Sequence, residues 1–249
     1  MTHWPSQWFD LPLAIFDTET TGKDPHTCRI IEVGITQMLR GEVVREFDWF
    51  VDPECQIPEE VVQLTHIQQS DVDGQPKLRD IAGDILEAFR GHGIVAYNIG
   101  FDRTVLTREL REAGLDWPSE NPILDPLVFA QHFYPHQRNN LGAVAERLGI
   151  SLEGAHRACN DAAATGKVFY AFRDRLPPEL DALLIVQAEW ERDNQARLQW
   201  RRPSGDAASN PLLAQKEASR GLSPAFLYGE EPDPLKAIYG AVPNFRRET

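Results

Sequence analysis

Two carboxylates that are one residue apart follow a short apolar run near the start of the chain. The segment is AIFDTETTG, residues 14–22, and the acids are Asp17 and Glu19. Residues i and i+2 of a β-strand point to the same face, so both carboxylates are expected on one side of a sheet. The Thr-Thr-Gly turn after them predicts a strand end at a sheet edge, where sites form. Taken alone, the pattern also fits a solvated strand end.

Three further polar residues occur in related settings. Asp102 follows the apolar segment GIVAYNIGF, near the start of a predicted helix, and His156 and Asp161 lie in GAHRACNDAAATG. On one helix, His156 and Asp161 would be about 140° apart around the axis. They can converge only if His156 lies in the loop before the helix and Asp161 lies inside it. Each residue alone fits an ordinary surface or first-turn position, but the repeated context of apolar strand followed by acid favours a shared site.

Hydrophobic patterning predicts the elements that would position these residues. Three strands come first, with the short links that are typical of an antiparallel meander, and helices then alternate with short strands. The predicted strands cover 11–17, 31–35, 43–51, 93–98 and 122–127, and the predicted helices cover 78–89, 101–114, 141–148 and 158–172. This order indicates an α/β fold with a mixed central sheet, antiparallel and then parallel, flanked by helices.

The chain is expected to divide near residue 178, where Pro177-Pro178 ends the last predicted helix of the first part. Residues 179–200 are a further helical candidate. The segment after Arg202 is rich in Pro and Gly but keeps large apolar residues such as Phe226 and Tyr239, which a solvated tail would rarely do. We therefore predict a domain over 1–178 and an extension over 179–249 that packs on its own domain or on a partner.

Composition limits the partners and the compartment. Among 249 residues, 25 Lys and Arg face 38 Asp and Glu, for a net charge of −13, which opposes a polyanionic partner unless cations compensate locally. Cys28, Cys55 and Cys159 form no CxxC pair, so they suggest free thiols in a reducing cytosol. The sequence shows neither a basic-then-apolar leader nor an apolar stretch of about 20 residues, and it predicts a cytoplasmic protein that does not contact a membrane.

The site residues resemble those of the DEDDh 3′-5′ exonucleases, the DnaQ-like group that includes the DNA polymerase III epsilon subunit, RNase T and oligoribonuclease. FDTETTG is similar to the first exonuclease motif, NIGFD to the second, and HRACNDA to the third with its H-x4-D spacing. NNLGAVAERLGI resembles the segment before the third motif. The resemblance covers about residues 11–175 and implies an RNase H-like fold. Tyr97 departs from it, since many members have His there.

This resemblance implies hydrolysis of phosphodiester bonds from a 3′ end, with release of nucleoside 5′-monophosphates. Two divalent cations, Mg²⁺ or Mn²⁺, suit hard oxygen ligands and would be held by Asp17, Glu19, Asp102 and Asp161. Asp17 would bridge the two cations, and Glu19 and Asp161 would complete the site on the nucleophile side. His156 would be the general base, a task that its ordinary pKa of about 6.5 suits. The bound cations would also offset, at the site, the negative net charge that otherwise opposes binding of a nucleic acid.

Substrate contacts are expected from Thr20, His66 and Phe101. His66 lies in LTHI, which resembles a substrate-proximal loop, and Phe101 either stacks on the terminal base or belongs to the core. DNA is favoured over RNA as the substrate, and its 3′ end is expected to be single-stranded or frayed. The expected process is replication proofreading or repair, with a polymerase or repair protein bound through the extension. Thr18, between the two acids, is expected to face the other side of the sheet and to be replaceable with little loss of activity.

Two other functions are compatible with parts of the sequence. DTETT is close to the DxDx[TV] motif of haloacid-dehalogenase-type phosphatases, although these need Asp where Glu19 stands and do not need the histidine motif. The second alternative is a catalytically silent exonuclease-fold module that binds a polymerase or nucleic acid. The presence of all five site residues argues against it.

Overall fold

A five-stranded mixed sheet forms the centre of the computed structural model, which describes residues 4–152 and 157–200. The strands are β1 (Leu13–Thr20), β2 (Ile30–Leu39), β3 (Glu42–Phe50), β4 (Gly93–Val95) and β5 (Ile123–Leu124). Their order is β3-β2-β1-β4-β5. The first three strands form the predicted antiparallel meander, and β4 and β5 run parallel to β1. The α/β fold with a mixed sheet is therefore confirmed.

Helices surround this sheet. The α-helices of the described residues are α1 (Glu59–Thr65), α2 (Gln69–Val72), α3 (Leu78–Phe89), α4 (Ile99–Glu112), α5 (Pro126–Phe133), α6 (Leu141–Leu148), α7 (Ala158–Ala171) and α8 (Leu180–Trp200). The predictions for α3 and α6 agree with these bounds, whereas α1, α2 and α5 were not predicted. Helices α1 and α2 are too short for helical periodicity to identify them, and α5 begins with the continuous apolar run PLVFA, which shows no helical period.

The strand predicted over 122–127 is wrong beyond Leu124, because Pro126 begins α5 there. The Asp125 side chain accepts a hydrogen bond from the Leu127 backbone N–H at 2.9 Å, and proline occupies the first helical position. This combination is a strong helix start. Asp125 also accepts the N–H groups of Asn98 and Ile99 at 3.0 and 3.1 Å. One buried carboxylate thus fixes the starts of both α4 and α5.

Large side chains fill the space between one face of the sheet and α3 and α4. Phe16 on β1 meets Phe89 of α3 edge-on, with 5.3 Å between ring centroids, and it meets Trp117 at 5.9 Å. Val105 and Leu106 of α4 are fully buried in the same cluster. This face is an ordinary hydrophobic core, and its burial is the main source of stability.

On the opposite face, two glycines let α7 pack closely against the sheet. A Cβ atom on Gly34 of β2 would lie 2.1 Å from the backbone N of Cys159. A Cβ atom on Gly166 of α7 would lie 2.4 Å from the Met38 sulfur. Gly34 is the direct cross-strand partner of Asp17. The first turn of α7 therefore lies in backbone contact with the sheet beside the first acid of the FDTETTG motif.

The chain divides into two compact units, residues 1–187 and 188–249. The first contains the sheet and the beginning of α8, where Gln187 accepts the Asp125 N–H at 2.8 Å and donates to the Ile123 carbonyl at 3.1 Å. Residues 201–249 lie outside the described residues, so the packing of the extension stays a prediction. No helix in the described ranges has the length and apolar composition needed to cross a bilayer.

Candidate active site

Three of the predicted site residues meet at the end of β1. Asp17 and Glu19 project from β1, and Asp161 projects from the first turn of α7. Each offers one carboxylate oxygen, and the three oxygens lie within 4.8 Å of one another. All three residues are half-buried. Oxygens at this spacing suit a small hard cation, whose ligands in the case of Mg²⁺ lie about 2.1 Å from the metal.

Asp102 is placed differently, in the buried first turn of α4. Its Oδ1 accepts two hydrogen bonds from Thr18 of β1, one from the backbone N–H at 3.1 Å and one from the hydroxyl at 2.6 Å. These bonds tie α4 to the strand between the two acids of the first motif. Thr18 faces away from the cluster of three, as expected. The structure argues against its being replaceable with little loss, because its hydroxyl holds Asp102.

The pKa values of these acids are raised because the carboxylates are crowded and shielded from water. Burial is the main cause at Glu19, and with the negative charges of Asp161 and Glu32 it raises the pKa to about 8. The pKa of Asp17 is well above its usual range because of burial and the Asp102 charge. Burial also raises the pKa of Asp102 to about 6, against the hydrogen bonds from Thr18. Such a cluster favours protons or a cation, so the donor set fits a divalent metal ion.

The predicted general base, His156, lies outside the described residues. The three predicted substrate contacts belong to different elements. Thr20 is buried and its hydroxyl donates to the Gly22 carbonyl at 2.7 Å. His66 is exposed at the end of α1 with a left-handed backbone, and Phe101 is half-buried and packs against the core of α3 and α4. Their role as substrate contacts stays a prediction.

Two residues of β2 that shape this site were not predicted from the sequence. Glu32 pairs with Glu19 across the strands and binds the start of α7, and Gly34 lets α7 approach. Both interrupt the apolar segment IIEVGIT. A lone charge in a buried strand demands a partner, and a glycine inside a strand often marks a close backbone approach. These signals were present in the sequence but did not identify the partner element.

The family of the chain follows from comparison with known proteins. A model of the exonuclease family that includes RNase T matches residues 14–169. The chain belongs to this exonuclease family. The match includes both acidic motifs and α7, and it confirms the DnaQ-like 3′-5′ exonuclease family predicted from the motifs.

Two curated relatives of this exonuclease-family chain are DNA polymerases III of the PolC type. The protein from Clostridium perfringens (strain 13 / Type A) is 36% identical over 174 residues, which are 70% of this chain and 12% of that polymerase. The protein from Streptococcus suis (strain 98HAH33) is 32% identical over 164 residues, which are 66% of this chain and 11% of the polymerase. The similarity therefore spans only a small part of each polymerase.

Solved exonuclease structures share the fold. A zinc-bound complex of E. coli exonuclease I with single-stranded DNA superimposes with a TM-score of 0.63 at 19% identity, covering 76% of this chain and 45% of that one. Exonuclease X in complex with 5′ overhanging duplex DNA gives 0.56 at 20% identity, covering 70% and 99%. These likenesses confirm the RNase H-like α/β fold of the exonuclease-family chain.

Proposed function

We propose that the protein is a metal-dependent 3′-5′ exonuclease that releases nucleoside 5′-monophosphates from the 3′ end of a nucleic acid. The observation that carries this proposal is the meeting of the Asp17, Glu19 and Asp161 oxygens within 4.8 Å in a chain of the exonuclease family. A phosphatase of the haloacid dehalogenase type would need Asp where Glu19 stands.

Each acid has a role in this proposal. Two divalent cations, Mg²⁺ or Mn²⁺, would supply charge neutralisation at the phosphate and an activated nucleophile. Asp17, at the centre of the acidic group, would hold both cations, and Glu19 and Asp161 would complete the site on the nucleophile side. Asp102 would act beside them, directly or through water, in the orientation that Thr18 gives it. His156 would accept the proton of the attacking water.

We favour DNA over RNA as the substrate. The curated relatives are DNA polymerases, and the structural neighbours include complexes with single-stranded DNA and with 5′ overhanging duplex DNA. Thr20, His66 and Phe101 would contact the terminal nucleotide, of a single strand or a frayed end. The net charge of −13 predicts few phosphate contacts and salt-sensitive binding. Arg157 lies beside the third motif, where a basic residue could contact a phosphate, but its guanidinium is paired with Glu32 and Asp48.

The same proposal covers the domain boundaries, the partner and the cellular location. We assign the exonuclease domain to residues 1–178 and a partner-binding role to the extension 179–249, with a polymerase or repair protein as the partner in replication proofreading or repair. Cys28, Cys55 and Cys159 are free thiols, which suits a cytoplasmic location.

The test is nucleotide release from oligonucleotides labelled at the 3′ end. Single-stranded, duplex and mismatched DNA and RNA are incubated with Mg²⁺ or Mn²⁺, and the products are separated by size. Release of labelled mononucleotide that is abolished in Asp17→Ala, but kept in the control Asp116→Ala, supports the proposal. Asp116 is an exposed acid outside the site. Binding without release on every substrate would favour the silent module, and an aspartyl-phosphate trapped on Asp17 would exclude the exonuclease mechanism.

A further inference from the structure

Glu32 of β2 is a fully buried carboxylate that the proposed reaction does not use. It is 0% exposed and lies opposite Glu19 in the antiparallel pairing of β1 and β2, so it shares the sheet face of the acidic site. A buried charge is costly unless it is paired and fully hydrogen-bonded. The residues that bind Glu32 therefore indicate its role.

Both oxygens of Glu32 bind the segment that begins α7. Oε1 accepts a hydrogen bond from the Arg157 Nε at 2.8 Å and pairs with a terminal guanidinium nitrogen at the same distance. Oε2 accepts the backbone N–H of Ala158 at 2.9 Å. Arg157 is the N-cap residue of α7, and its guanidinium also lies 3.6 Å from Asp48 and over the Phe50 ring. Charge-assisted hydrogen bonds of this kind are directional, so they fix both the position and the orientation of the helix start.

Asp161 lies one helical turn after this anchor. Its backbone N–H donates to the Arg157 carbonyl at 3.0 Å, so the Asp161 backbone is set by the same segment that Glu32 holds. Gly34 permits α7 to approach the sheet, but a glycine supplies no side-chain bond to set the helix direction. The bonds that Glu32 makes to Arg157 and Ala158 supply that direction.

We propose that Glu32 and Arg157 are positioning residues that hold the first turn of α7 so that Asp161 meets Asp17 and Glu19 on one divalent cation. This inference rests on the proposed function, because the cation is the ligand of that site. It adds two residues that do not touch the cation and act through the α7 backbone.

A competing explanation is that Glu32 acts on the cation only through its negative charge. The two explanations differ for a variant that removes both charges of the pair. Glu32→Gln with Arg157→Gln leaves the net charge near the site unchanged, but it removes the charge-assisted hydrogen bonds between the two side chains. A charge effect would then restore cation affinity to the wild-type value, whereas a positioning effect would not.

The test is Mn²⁺ binding to the full-length protein without nucleic acid, measured by titration calorimetry. We expect Glu32→Gln and the double variant each to bind Mn²⁺ about 10–100-fold more weakly than wild type, the range for residues that orient metal ligands. If Glu32→Gln does not fold, Arg157→Lys replaces it in the test, because the Arg157 side chain is 41% exposed and tolerates substitution better. Lysine keeps the positive charge but has no second nitrogen to bind Glu32. It should also weaken binding, and excess Mn²⁺ should restore part of the nuclease activity of each variant.

Glu109 of α4 provides a matched control. It is 3% exposed, accepts the Ile30 backbone N–H at 3.0 Å and pairs with Arg29 at 3.5 Å. Like Glu32, it is a buried carboxylate that accepts a backbone N–H and pairs with an arginine. Asp102 lies in the same helix seven residues earlier, but its side chain is held by Thr18 and not by Glu109. Glu109→Gln should lower the melting temperature and leave Mn²⁺ affinity unchanged.

Wild-type affinity in the double variant, or an equal loss of Mn²⁺ affinity in Glu109→Gln, would overturn the positioning role and leave the proposed exonuclease intact. A wild-type protein that neither binds Mn²⁺ nor releases nucleotide would overturn both.

Discussion

The two faces of the central sheet are built in opposite ways. Towards α3 and α4, β1 and β2 present large side chains such as Phe16 and Ile35, which are fully buried. Towards α7, the same strands present Gly34 and three acids, namely Asp17, Glu19 and Glu32. The first face maximises apolar burial and therefore stability. Near the acids, the second face gives up apolar burial so that a helix backbone and a group of carboxylates can meet, whereas farther along the same face Ile15 and Met38 are buried against Gly166 of α7.

As a result, the residues of one strand divide between the two faces, so that some contribute mainly to stability and others to the acidic site. Alternation in β1 puts Phe16 and Thr18 on one side and Asp17 and Glu19 on the other. Thr18 links the two faces, because its hydroxyl and N–H hold the site acid Asp102 of α4. Changes on the α7 face should therefore alter cation binding and catalysis first, and changes on the α3 and α4 face should alter stability first.

The largest effect on activity is expected from Glu19→Gln. Because variants of residues that merely support metal ligands already lose about 10–100-fold, a lost ligand should cost more than about 100-fold in kcat/KM. The same change should stabilise the metal-free protein. The raised pKa of Glu19, about 8 against an ordinary 4.5, means that the folded state resists ionisation, so stability is lost as pH rises through this window.

Thermal melts with a chelator at pH 5 and pH 8 check the second part. Glu19→Gln should raise the melting temperature at pH 8 and have little effect at pH 5. An equal gain at both pH values would contradict the assignment of a destabilising ionised carboxylate at this position.

Gly34→Ala sharpens the comparison from the β2 side. The new methyl group would lie 2.1 Å from the Cys159 backbone N, so α7 must move away from the sheet. We expect a loss of activity of at least about tenfold and a destabilisation of about 1–3 kcal/mol, the usual cost of overpacking. Steady-state kinetics and urea unfolding measure the two effects. The control is Gly83→Ala, where the added Cβ atom meets no atom within 4 Å.

Thr18→Val tests this link between the faces. Valine keeps the shape and the backbone N–H bond to Asp102 but loses the hydroxyl bond, so activity should fall by about tenfold. The hydrogen bonds from Thr18 lower the pKa of Asp102, which stands at about 6, and losing one should raise it. The acidic limb of the pH–rate profile should therefore move to higher pH. Thr18→Ser keeps the hydroxyl and should restore both the rate and the profile.

Phe89→Ala should have the smallest effect on activity and a large effect on stability. Phe89 is fully buried against Phe16 and Trp117, and truncation of a core phenylalanine costs about 3–5 kcal/mol. Denaturant unfolding measures this loss, and kcat per folded molecule should stay at the wild-type value. A loss of activity as large as that of Gly34→Ala would show that the two faces are not separable.

Much of the fold followed from local pattern. The meander, α3 and α6 were predicted because their apolar residues recur at the strand or helix period. Asp161 was placed inside α7 because it can converge with His156 only there and because an Ala-rich run follows it. The strand predicted over 122–127 failed because the pattern could not distinguish a short apolar strand from the Asp125-Pro126 helix start. Asp17, Glu19 and Asp161 could be grouped because the two acids of β1 share a strand face and the motif spacing resembles that of a known family.

The sequence by itself determined the strand, the faces of its residues and the set of acids, since these depend on alternation and on motif spacing. Tertiary structure decided how far apart the acids are and what holds them. Three contacts join residues that are far apart in the chain: the approach of α7 to Gly34, the hydrogen bonds between Glu32 and Arg157, and the hydrogen bonds between Thr18 and Asp102. Local patterns do not specify such contacts, because their partners are chosen only when the helices pack on the sheet.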